Sequence, residues 1–182
     1  MYKNMASSSL GSSLIIKVYL HVVILSIGLA GCSVVTRLCL KTPDPKFCLS
    51  AIASSNPETD IDDLETLGVI SIDSALANAT ATLQFIQELV GFVPNVGVKA
   101  RLRRCANLYA HAIDILQQSN EDYKKGHYQD VIFKVSFAYH AVQYCEYSFR
   151  RLRSTVNPLS GPNHDLERLI IIVSIINQEL KD

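Results

Sequence analysis

Two cysteines in this chain fall where an antiparallel pair of helices would bring them together. Cys105 and Cys145 each sit in a run of apolar residues with alternating three- and four-residue spacing, the period of one buried helix face. One run is Val98, Leu102, Cys105, Tyr109, Ala112 and Leu116. The other is Tyr128, Val131, Val135, Ala138, Val142, Cys145, Phe149 and Leu152. In an antiparallel pair, facing residues have numbers with a constant sum. Cys105 and Cys145 sum to 250, as do Val98 with Leu152 and Ala112 with Ala138, and all centre on Lys125-Gly126. The register that closes this hairpin therefore predicts a Cys105–Cys145 disulfide.

Two further runs share the period. Val69, Ile72, Leu76, Ala79, Leu83, Ile86 and Val90 extend N-terminally through Leu64 and Ile61. Asp60, Asp62 and Asp63 suit the positive end of that helix dipole, and Gly91 and Pro94 end it. Leu166, Leu169, Val173, Ile176 and Leu180 follow Pro162, Asn163 and Asp165. No run of alternating β-branched residues competes. The connections are short, so the expected fold is all-α, an up-down-up-down four-helix bundle over residues 60–181. Cys39 and Cys48 remain as a second pair. Pro43 and Pro45 interrupt any helix between them, with helical pieces expected over 34–40 and 46–54. This predicts an α-hairpin extension over 34–55, pinned at its neck. Buried thiols are the alternative, and zinc lacks a Cys-x₂-Cys pair or a histidine cluster.

Residues 1–30 read as a secretory signal peptide, with cleavage expected between 30 and 33. Polar residues around Lys3 precede the apolar run Val18 to Ala30, too short to span a bilayer. No stable membrane anchor is expected. Leu29-Ala30-Gly31-Cys32 also resembles a bacterial lipobox, which would place a lipid on Cys32. If Cys32 leaves with the signal, an even four cysteines remain in a secreted chain, as two disulfides require.

Function by exclusion comes next. After residue 30 the chain holds 15 basic and 17 acidic residues, too few cations for nucleic-acid binding. His111, His127, His140 and His164 form no Glu-x-x-His or His-x-x-x-His pair, and no nucleophile elbow or phosphate loop occurs. The expectation is a non-enzyme without cofactor or metal. Lys99, Arg101, Arg103 and Arg104 lie near Arg150, Arg151 and Arg153 in the predicted register, either as a solvated end or as a patch steering an acidic partner. Asn78-Ala-Thr80 is the sole glycosylation sequon, with Asn78 expected on the exposed flank of its helix.

Several motifs in order carry a resemblance. They are Cys39-Leu-Lys-Thr-Pro-Asp-Pro-Lys-Phe-Cys48, Leu67-Gly-Val-Ile-Ser-Ile-Asp-Ser-Ala-Leu-Ala77, Cys105-Ala-Asn-Leu-Tyr-Ala-His-Ala-Ile-Asp114, Lys134-Val-Ser-Phe-Ala138 and Cys145-Glu-Tyr-Ser-Phe149. Together they resemble the plant invertase and pectin methylesterase inhibitor family over essentially the whole mature chain. The resemblance implies a four-helix bundle with an α-hairpin and two sequential disulfides. It also implies a secreted inhibitor that blocks a carbohydrate-active enzyme in a 1:1 complex, in the apoplast or cell wall, or in the vacuole. Pectin methylesterase is the expected target and acid invertase the alternative. A secreted helical binding or structural protein without an enzyme target is the reading from another class. A monomer is expected when free. Invertase inhibitors can carry Pro-Lys-Phe between the second and third long helices. Here that loop reads Lys124-Lys-Gly-His-Tyr-Gln-Asp130, and Pro45-Lys46-Phe47 lies in the hairpin instead. His127 and Tyr128 are candidate partner contacts on this loop, although Tyr128 also begins a seam and could serve the core.

Overall fold

The computed structural model describes residues 33–55, 63–150 and 156–181; the signal segment, Ile61, Arg151, Leu152 and Arg153 lie outside them. The described residues form six helices: α1 (Val34–Cys39), α2 (Pro45–Ser55), α3 (Leu64–Phe92), α4 (Val96–Tyr123), α5 (Tyr128–Arg150) and α6 (Ser160–Lys181). Successive long helices pack side by side, and α3 closes the ring against α6. This is an all-α four-helix bundle, with the α1–α2 hairpin docked on α3 and α6.

Local chemistry sets the helix ends. Asp63 caps α3 by accepting from the Thr66 N–H at 2.6 Å, and Asn95 caps α4 by accepting from the Val98 N–H at 3.0 Å. Asp44 accepts from the Phe47 N–H at 3.0 Å, and Pro45, having no N–H to lose, opens α2. Gly126 adopts φ +74°, the left-handed conformation that turns the chain from α4 into α5. The hairpin is tied to α6 through Arg168, which donates to Asp44 at 2.7 Å and lies 3.8 Å over the Phe47 ring. Phe47 of the Pro45-Lys46-Phe47 triplet is thus spent on holding the hairpin. Lys41 and Glu179 add an ion pair at 2.6 Å.

The seams of α4, α5 and α6 are buried as their spacing predicts, from Val98 to Leu116, Val131 to Phe149 and Leu166 to Ile176. Disulfides join Cys39 to Cys48 (Cα–Cα 5.4 Å) and Cys105 to Cys145 (Cα–Cα 4.9 Å). The α3 seam is partly displaced. Ile72, Ala79 and Ile86 are buried as their spacing predicts and Leu76, Leu83 and Val90 are half-buried. But Val69, read as a seam residue, is 38% exposed, and Leu67, Gly68, Ser71, Ala75 and Thr82 join the buried face. The cause is Tyr123 at the end of α4. Its ring lies over Gly68, and its hydroxyl donates to the Glu65 carbonyl at 2.8 Å, so the small face of α3 turns inward. Gly68→Ala would drive a methyl group into that ring. Overpacking of this kind costs about 1–3 kcal/mol. The loss should shrink to a few tenths of a kcal/mol, by rough estimate, when the same change is made in a Tyr123→Ala background, because the two residues share one space. Urea melts of the double-mutant cycle test this; additive losses would show that Tyr123 does not dictate the rotation.

Candidate functional site

The structure places His127 and Tyr128 at the tip joining α4 to α5. His127 is exposed; its N–H donates to the Asp122 carbonyl, and its own carbonyl accepts from Asp130 and Val131 to start α5. Tyr128 is half-buried, with its ring 5.3 Å from that of Tyr123. Burial and the nearby Glu65 charge raise its phenol above the ordinary range. Most of Tyr128 is therefore committed to the bundle, and the tip offers an accessible His127 beside a shallow groove shared with Leu180 and Lys181. Asn78 is half-buried on α3, not on an open flank, because the rotation of the seam carries it inward.

A larger feature lies on α5. Two residues along from Val131, Val135, Ala138, Val142 and Cys145, the residues Phe133, Phe137, His140, Tyr144 and Tyr147 repeat the four-three spacing on the opposite face. Phe133 is 63% exposed, Phe137 48%, Tyr144 59% and Tyr147 50%. Phe133 and Phe137 meet edge to face at 4.9 Å, which orders them without covering them. Such an aromatic stripe on a soluble helix is the composition of a protein interface rather than of solvated surface. Sequence reasoning assigned α5 one seam and passed over the second, although the same spacing count starting at Phe133 reveals it.

At the end of the stripe, α5 meets α4 and α6 in a polar cluster. Glu146 accepts from Asn157 at 2.6 Å and from Asn163 at 2.7 Å, and Asn163 in turn accepts from the buried Tyr109 hydroxyl at 2.9 Å. This network locks the start of α6 to α5 and keeps the stripe on a rigid support. A cavity of about 240 Å³ opens beside it, lined by Gln143, Glu146, Tyr147, Arg150, His164 and Glu167. Burial raises the Glu167 carboxyl above its ordinary value of 4.5. The folded state therefore holds this proton more tightly than the unfolded chain, and the ionised group opposes folding at neutral pH. That penalty disappears as pH falls through the raised value toward 4.5. Glu167→Gln should melt higher than the parent at neutral pH, with the gap closing below pH 4.5. Thermal melts at several pH values check this. The difference between the two proteins isolates Glu167 from Asp44 and Asp63, whose carboxyls are held low by hydrogen bonds and lose their contribution on acidification. A gap independent of pH would refute the assignment.

Among the described residues no three His, Cys, Asp or Glu side chains converge to hold a metal ion. The arrangement is suited to binding a partner.

Comparison with known proteins agrees in fold and extent. Residues 33–176 match the family model for plant invertase/pectin methylesterase inhibitors. A pectinesterase inhibitor from Actinidia deliciosa is 33% identical over 146 residues, covering 80% of this chain and 78% of that protein. A cell wall/vacuolar inhibitor of fructosidase from Arabidopsis thaliana is 28% identical, covering 81% and 83%. The crystal structure of a mutant form of a pectin methylesterase inhibitor from Arabidopsis superposes with a TM-score of 0.71 at 26% identity, covering 81% of this chain and 97% of that one. The family consists of enzyme inhibitors and not enzymes, and this chain belongs to it, as a member of the plant invertase/pectin methylesterase inhibitors.

Proposed function

We propose that this protein inhibits a pectin methylesterase by laying the aromatic face of α5 across the enzyme's substrate cleft. The observation that carries the reading is the exposed row Phe133, Phe137, Tyr144 and Tyr147 on a helix whose other face is locked in the core. Aromatic side chains supply large contact area at low entropy cost. A bundle tied by two disulfides spends little on ordering itself when it binds. The free protein is monomeric in this reading, and the complex is 1:1.

The relative named as an inhibitor of fructosidase supports acid invertase as the second target. The loop over 124–130, without Pro-Lys-Phe, weighs toward pectin methylesterase. The apolar leader supports export to the cell wall, with the vacuole as the alternative destination. On that route Asn78 is the sequon acceptor, and intact mass of the exported protein tests its occupancy. The deciding experiment mixes the oxidised mature protein with a pectin methylesterase and with an acid invertase at mildly acidic pH. Residual activity and co-elution are then measured. Inhibition and a 1:1 peak with the esterase are expected. Loss of invertase activity alone would transfer the assignment, and no complex with either, across several isoforms, would leave a binding protein of another kind.

A further inference from the structure

Cations gather at the end of the bundle where α4 begins and α5 ends. Lys99, Arg101, Arg103 and Arg104 occupy the early turns of α4, whose first turn has no acid, and Arg150 closes α5. Positive charge at a helix N-terminus opposes the helix dipole. Among the described residues none of these five cations forms an ion pair with a carboxylate. Arg150 suits the C-terminal end of α5 and shares a cavity with Glu167. The four cations of α4 have no such compensation and mark a place where an external anion would relieve the field.

Two of these cations, Arg101 and Arg104, line an open groove of about 480 Å³ between α4 and α5, together with Ala100, Tyr144, Tyr147 and Ser148. Arg101 is held in place by donating to the Ser148 carbonyl at 2.8 Å and the Gly97 carbonyl at 2.9 Å. Arg150 lies 4.6 Å over the Tyr147 ring. Glu146 and Glu167 line the neighbouring cavity together with Arg150, and not this groove, and Glu146 is already engaged by Asn157, Asn163 and Ser160.

We propose that this groove binds a de-esterified uronate oligosaccharide, with the arginines on its carboxylates and the tyrosine rings against its sugar faces. A guanidinium fork matches a planar carboxylate in two hydrogen bonds, which a methyl ester cannot reciprocate as an anion. Tyr144, and the face of Tyr147 that Arg150 leaves open, offer flat apolar surfaces to the C–H side of a pyranose ring. A cleft lined by one sign of charge concentrates a polyanion of the opposite sign, even on a chain of near-zero net charge. The inference goes beyond enzyme inhibition: the ligand is the carboxylate-bearing polymer that removal of methyl esters from pectin leaves behind.

The test uses the protein alone, so its failure leaves the inhibitor reading intact, and failure of the inhibition assay leaves this one intact. Titration calorimetry compares oligogalacturonides free of methyl esters with the same oligomers fully methyl-esterified and with a sulfated dextran of equal charge. Binding to the free-acid oligomer that weakens steeply with salt is expected, at least tenfold tighter than to either comparison ligand. Arg101→Gln with Arg104→Gln, the two arginines that line the groove, should weaken it at least tenfold. Arg101→Lys with Arg104→Lys, which keeps the charge and loses the fork, should recover only part of that loss. Absence of binding, equal affinity for the esterified oligomer or the sulfated polymer, or an affinity unmoved by the glutamine pair would each overturn the proposal. So would a glutamine pair that weakens only the complex with the enzyme, which would assign the groove to an acidic protein surface.

Discussion

Replacing Phe133 and Phe137 together by alanine is expected to weaken inhibition of the target enzyme about thirtyfold or more, while the bundle melts close to the parent temperature. Both rings project from the face of α5 opposite the core, and Phe133 is the most exposed aromatic residue on that helix. Truncating exposed side chains usually moves stability by no more than about 0.5 kcal/mol. The same truncation inside an interface removes an anchor. Aromatic hot spots are worth about 2 kcal/mol or more each, and about 1.4 kcal/mol is a factor of ten in the dissociation constant. The thirtyfold figure asks for one such anchor from the pair. The edge-to-face packing of the two rings holds them in place before the enzyme arrives, so the ordering cost is already met in the free protein. Inhibition constants and surface plasmon resonance measured on the same variants check the effect, which should appear mainly as faster dissociation. Unchanged inhibition by a folded double variant would remove the α5 face from the mechanism. Retained inhibition together with a large loss in a His127→Ala variant would move the contact to the tip of the α4–α5 hairpin.

What the residues disclosed follows from how strongly each position is constrained. The α4–α5 register was legible because apolar residues, large or small, occupy every buried position but Ser119, and two cysteines mark the same height. The hairpin was legible because Pro43 and Pro45 cannot lie in a helix interior, which leaves Pro45 only a helix's first position. The rotation of α3 was not, because, Leu67 aside, the buried positions it adds to the predicted Ile72, Ala79 and Ile86 are Gly68, Ser71, Ala75 and Thr82. A count of apolar residues weights such small side chains too lightly and is drawn to Val69 instead. What turns them inward is a single long-range contact, Tyr123 over Gly68, which no local window contains. The aromatic face of α5 escaped for the opposite reason. Its residues satisfy the same spacing rule as the core, and once one seam explains a helix, the second is easily read as scattered surface. Candidate contacts His127 and Tyr128 came from the loop position. The structure leaves the first accessible and folds most of the second into the bundle.

Removing the Cys105–Cys145 bond by substituting both residues with alanine is expected to cost about 4 kcal/mol of stability. The bond closes a loop with a sequence separation of 40, against 9 for Cys39–Cys48. In the chain-entropy description the shorter loop is worth about 2.6 kcal/mol. Both cysteines of the longer bond are fully buried, nearer the end of the bundle where α4 begins and α5 ends, so alanine also leaves a small void whose walls relax only in part. Residual helix pairing in the unfolded chain works the other way, since a hairpin that partly forms anyway loses less entropy when it is clipped. Domains of this size hold only about 5–15 kcal/mol in total, so the change consumes a large share of the reserve. The urea midpoint should fall by more than about 1 M for slopes of about 1–3 kcal/mol/M. The hairpin pair Cys39→Ala with Cys48→Ala should fall less and leave the bundle's helical signal nearly intact. Peptide mapping without reduction provides the accompanying check, with 39–48 and 105–145 as the expected linkages. A midpoint that drops further for the hairpin pair than for the bundle pair would mean that the 34–55 extension, and not the clipped α4–α5 hairpin, carries the cooperative unit.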